Sequence, residues 1–158
     1  MGGRGIRGSF LLPHEKVTET GHMKLSRMNH RARWFELVGQ CEEQIKNSQD
    51  LRWPGQHQLQ AEYEALGYYK LSCFAERIAK DPRAIWSHLT AAQALNLYLL
   101  NKHHWSPAEP ADLSEDDYLY LLRDELMQMK LTVEESAPIR STLAHRPDAL
   151  RELEGHLD

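Results

Sequence analysis

The chain has 158 residues and a mass of 18.3 kDa, the size of a single domain. Apolar residues make up 41% and charged residues 27%, which excludes a wholly disordered chain, a collagen-like fibre and a disulfide-dense miniprotein. The formal net charge is −4, so bulk attraction to nucleic acid or anionic lipid is absent. No apolar run reaches the roughly 20 residues needed to cross a bilayer.

The charge is unevenly spread. Residues 1–34 carry seven basic side chains against Glu15 and Glu19, a balance of +5, which leaves −9 on the rest. Such polarity suits a basic arm that meets a polyanion or folds back on an acidic body. Four glycines in the first eight positions oppose ordered structure, because glycine loses the most backbone freedom on folding. Residues 1–23 are therefore expected to be a flexible tail, and 24–158 a single helical domain. A vector remnant or an over-extended start also fits the tail, since Met23 and Met28 both precede the first convincing helix.

From Lys24 the pattern turns helical. Trp34, Val38, Cys41 and Ile45 recur at spacings of 4, 3 and 4 and share one face. Asn47 to Asp50 stops that run, and Trp53-Pro54-Gly55 marks a turn. A second helix is expected from about His57 to Lys80, with Leu59, Tyr63, Leu66, Leu71, Phe74 and Ile78 inward. Gly67 lies in its middle, as a kink or a point of close approach. Asp81-Pro82 restarts the chain into a short third helix carrying Ile85, Trp86 and Leu89.

Thr90 to Gln93 fits a capping box. The following run, Ala94, Leu95, Leu97, Tyr98, Leu99 and Leu100, covers almost the whole helical circumference. That pattern predicts a helix at 91–102 buried on all sides, at the centre of the core. Ser106 to Glu109 and Thr132 to Glu135 are further capping boxes, and Ser114 opens a helix whose inner face is Leu119, Leu122, Leu126 and Met129. Pro138 falls inside the next helix, and Leu150 and Leu153 mark a short amphipathic end. No β alternation or hairpin turn stands out. The expected fold is all-α: an irregular bundle of five or six helices around helix 91–102.

Motifs for chemistry are sparse. Nine histidines include no His-x-x-x-His pair, and adjacent His103 and His104 diverge by about 100° on a helix, so no metal site is implied. Cys41 and Cys73 read as small core residues in a reducing, cytoplasmic setting. Glycine-rich phosphate loops and nucleophile elbows are lacking, and no cofactor is implied. The paired carboxylates read as helix surface or helix starts.

Aromatic and acidic residues carry the leading functional expectation. In the doublet Tyr68/Tyr69 and the pair Tyr118/Tyr120, only one member of each can point squarely inward. The other lies nearer the surface, and Glu115, Asp116 and Asp117 precede the second pair in the chain. An acidic surface with tyrosine anchors suits a small non-catalytic protein, of inhibitor, adaptor or immunity type, that binds a basic protein partner. A second expectation is nucleic-acid contact through Lys24, Arg27 and Arg31 on one face of the first helix, with Arg33 close by. A third is an enzyme with a site near His103 and His104. A membrane partner is not expected, and self-association is compatible with all three.

Overall fold

The computed structural model describes residues 16–17, 23–24, 28–48, 55–108 and 112–158. The protein is all-α, with seven α-helices among these residues. They are α1 (His30–Ser48), α2 (His57–Ala79), α3 (Ala91–His103), α4 (Glu115–Leu121), α5 (Arg123–Gln128), α6 (Val133–Thr142) and α7 (Pro147–Leu153). Two-residue strands β1 (Lys16–Val17) and β2 (Met23–Lys24) pair antiparallel. Lys24 thus lies in a strand, and the first helix starts at His30 rather than near residue 24. The remainder of the expected tail lies outside the described residues.

The chain divides into two compact units. The first holds residues 30–74 and 113–158; the second holds 75–112 with the strand pair.

The first unit is built on α1 and α2. α1 buries Trp34, Leu37, Val38, Cys41 and Ile45, the face its periodicity predicts. Each large apolar side chain so buried contributes roughly 2 kcal/mol before conformational entropy is counted. Gly55, at φ 78°, supplies the left-handed backbone that turns the chain into α2. Trp34 meets Tyr69 of α2 edge to face at 5.5 Å and donates its indole N–H to Thr142 Oγ1 of α6 at 3.1 Å. The Tyr69 hydroxyl donates to the Glu135 carbonyl, so one aromatic pair ties α1, α2 and α6.

α6 opens on the predicted capping box, with Thr132 and Glu135 bonded reciprocally. Pro138 lies inside the helix and cannot offer a backbone N–H to the carbonyl of Glu134. Thr142 donates its hydroxyl to the Pro138 carbonyl at 2.8 Å one turn on. At the far end, Leu131 and Leu157 form a parallel bridge that brings residues 156–158 against the entry to α6.

A buried ion pair fixes α7. Glu62 of α2 is wholly buried; its carboxylate accepts from Arg146 Nη2, with one contact at 2.6 Å, and from Gln58 Nε2 at 3.3 Å.

The second unit corrects two expectations. First, α3 is not buried on all sides. Ala91, Ala94, Leu95 and Leu99 are buried, Tyr98 and Leu100 half-buried, and Leu97 is 42% exposed. Apolar residues around a full circumference record only that the helix tolerates them there; an exposed leucine is ordinary. The capping box of Thr90 and Gln93 forms as predicted. Second, the short third helix is only a 3-10 turn at Pro82–Ala84, with Ile85 82% and Trp86 80% exposed. Asp81 closes that turn by accepting from both the amide and the guanidinium of Arg83, which holds its carboxyl down at about 2. Thr90 must be extended to cap α3, so no helix can run through it from residue 85.

One long helix was expected after Ser114. The chain instead breaks at Leu122 (φ −105°, ψ 15°) into α4 and α5, keeping Tyr118, Leu122, Leu126 and Met129 buried.

Candidate functional site

The predicted acidic and aromatic residues fall at the junction of α1, α2 and α4, and the structure sorts them into three environments. Ser114 caps α4 and accepts from the amide of Asp117, whose carboxylate accepts from the Ser114 amide in return. That exchange holds the Asp117 carboxyl below its usual range. Asp117 is exposed, but its side chain works as a helix cap.

Glu115 is only 7% exposed, so it is not part of a surface. Arg33 Nη2 of α1 lies 3.8 Å from its carboxylate, and neither carboxylate oxygen has a hydrogen-bond partner. Burial lifts its carboxyl to about 7 against the opposing pull of Arg33. Arg33 in turn donates to Ser72 Oγ of α2 at 3.1 Å and to Glu36 at 3.1 Å. Tyr68 donates to Asp116 Oδ1 at 2.5 Å, and burial followed by that bond raises its phenol well above the usual range. Tyr68 and Asp116 are half-buried and bonded to each other. This network clamps α4 onto α1 and α2.

Tyr69 and Tyr118 are buried, so with Glu115 they leave the expected binding surface; Tyr69 has the structural role described above. The one-in, one-out division of each tyrosine pair holds: Tyr68 lies outside Tyr69, and Tyr120 outside Tyr118. Tyr120 is 82% exposed, and Met127 of α5 is 59% exposed. Asp117, Asp124 and Arg123 are also exposed on these two helices. The exposed charges of residues 115–128 are Asp117 and Asp124 against Arg123, with Asp116 and Glu125 half-buried beside them. An exposed, acidic, aromatic-bearing surface on α4 and α5 is what remains of the larger set.

The basic set does not assemble. Arg27 and the side chain of Lys24 lie outside the described residues. Arg31 is exposed with its guanidinium 5.6 Å from the centre of the Phe35 ring, while Arg33 is committed to Ser72, Glu36 and Glu115. Lys24 is in a strand, so the proposed single helical face does not exist.

His103 and His104 end α3 and are exposed; His104 takes a left-handed conformation at φ 53°, and His103 stacks on Trp105 at 4.7 Å. Among the described residues no cluster of three metal-ligating side chains occurs, and no helix is long and apolar enough to cross a membrane. The Cys41 thiol is pushed up to about 12, first by burial and then by Glu64 and Glu115, so it is an unreactive core group.

Sequence reasoning missed Arg33 as a buried partner of α4, because it reads only as one more basic side chain beside the stripe of Lys24, Arg27 and Arg31. It also missed Lys70, which is buried although flanked by Tyr69 and Leu71 in a strongly apolar part of α2. A lysine inside such a stretch was the available signal.

The sequence matches no protein-family model, and neither a curated protein nor a solved structure matches it significantly.

Proposed function

We propose that this chain is a non-catalytic interaction module that binds a basic protein surface through the exposed side of α4 and α5. The observation that carries the reading is the exposure of Tyr120 at 82% on a helix whose neighbourhood is acidic. Tyrosine supplies contact area with little conformational freedom to lose, and acids around it steer a basic partner. The Tyr68–Asp116 hydrogen bond supports the reading, since it ties α4 to α2 from beneath and reduces the ordering cost of docking.

The test is a pull-down from the native host with the full chain as bait, set against Tyr120→Ala combined with Met127→Ala and Asp124→Lys. These three side chains are exposed, so circular dichroism should show an unchanged fold. A protein retained by the wild type and lost by the triple variant is expected. Equal recovery of the same proteins by both baits contradicts the reading.

A further inference from the structure

Beside the exposed face of α4 and α5, a recess of about 190 Å³ opens among α2, α4, α5 and the turn at Glu154–His156. Its walls are apolar: Leu66, Leu119, Leu126 and Met127. Gly67 forms part of the lining, and a Cβ there would already stand 3.7 Å from Leu119 Cδ2. The hollow exists partly because α2 carries no side chain at that position.

The polar groups of the lining are Lys70, Arg123 and His156, with no carboxylate among them. Lys70 is nine-tenths buried or more; its Nζ donates to the Leu126 carbonyl at 2.7 Å and meets His156 Nδ1 at 2.8 Å. A lysine amine bearing its proton can only donate, so Nδ1 is the accepting nitrogen and the imidazole proton sits on Nε2. Burial, and then the charge of Lys70, hold His156 below its ordinary range, consistent with a neutral ring. Arg123 contributes a permanent positive charge. The polar side of the recess therefore carries nitrogen donors and the charge of Arg123, and the rest is hydrocarbon.

We infer that this recess binds a small carboxylate with a branched or linear apolar body, the carboxylate facing Arg123, Lys70 and His156 and the body lying against Leu66, Leu119 and Met127. The volume matches about six water molecules at roughly 30 Å³ each, room for one short acyl chain or one leucine-sized side chain. Two sources share that chemistry: a free short-chain monocarboxylic acid, and the last residue of a polypeptide ending in an apolar side chain. The inference concerns a ligand rather than the acidic docking face, and stands or falls without it.

The experiment uses the full chain and three probes: 4-methylpentanoate, its amide 4-methylpentanamide, and an N-acetylated tripeptide ending in leucine with a free carboxylate. Binding is followed by methyl NMR shifts of Leu119 and Met127 and by calorimetry. The acid is expected to bind with shifts confined to the recess, and the amide about tenfold more weakly, since a hydrogen bond to a charged group is lost. Arg123→Gln, a change at an exposed residue, should weaken the acid severalfold without altering the amide. Lys70→Met should abolish the preference for the acid; if that variant does not fold, Arg123→Gln decides. Tighter binding of the peptide assigns the site to a chain terminus, and tighter binding of the free acid assigns it to a small metabolite. No shift at Leu119 or Met127 with either carboxylate, or equal affinity for acid and amide, overturns the inference.

Discussion

Replacing Glu115 with glutamine should make the protein more stable at neutral and alkaline pH. The carboxyl is 7% exposed, its two oxygens lack hydrogen-bond partners, and the nearest cation, Arg33, stands 3.8 Å away. Burial outweighs that cation and raises the group from 4.5 to about 7. The folded chain therefore binds the Glu115 proton more readily than the unfolded chain does. Stability falls as pH rises from about 4.5 to about 7, and the penalty is complete above that window. The full displacement corresponds to roughly 3 kcal/mol, and relaxation around the charge reduces this to on the order of 1–2 kcal/mol. Glutamine keeps the shape and removes the charge, while Arg33 retains Glu36 and Ser72 as partners. Thermal or urea unfolding at half-unit steps from pH 5 to 8 measures the effect. The difference between variant and wild type should be small near pH 5 and grow to about 1–2 kcal/mol in favour of the variant at pH 8. A difference that stays flat across that range, or that favours the wild type at pH 8, refutes the assignment of Glu115 as a buried, poorly compensated acid.

Other outcomes follow from the same contacts. Arg146→Ala leaves the fully buried Glu62 without its cation and should cost about 3–5 kcal/mol by urea denaturation. On α3, Leu95→Ala should cost about 2–5 kcal/mol, whereas Leu97→Lys should shift stability by less than about 1 kcal/mol, because Leu95 is buried and Leu97 is not. Gly67→Ala should stabilise α2 by about 1 kcal/mol, as the added Cβ meets Leu119 at ordinary contact distance. His156 titrates in the opposite sense to Glu115. Held below its ordinary value, it favours the folded state above pH 6.5 and loses that advantage as pH falls toward its lowered value. His156→Gln should flatten the wild-type slope on that side of the pH profile.

Much of the fold was legible because it depends on local rules. The face of α1 and the capping boxes at Thr90 and Thr132 rest on spacing and on side chains that bond within three residues, whereas of the face expected for α2 only Leu66 and Leu71 are buried and Leu59, Tyr63, Phe74 and Ile78 are half-buried. The tyrosine pairs were divided correctly for the same reason: helical geometry sends near neighbours to different sides. What failed required knowledge of partners distant in sequence. Leu97 and Leu95 look alike until it is known which side of α3 is covered. Glu115 looks like a surface acid at a helix start until Arg33, 82 positions earlier, is seen against it. Arg33 itself was read with its helical neighbours, although its partners lie on α2 and α4. The recess around Lys70 needs three helices and a turn from the end of the chain, a combination no local pattern encodes.

A photo-reactive phenylalanine analogue placed at position 120 tests the interaction reading most directly, with the same group at the exposed Arg151 of α7 as control. Illumination in the native host should yield one dominant cross-linked protein from position 120, none from position 151, and loss of the adduct on Asp124→Lys. Equal or absent cross-linking at the two positions would contradict a partner seated on α4 and α5.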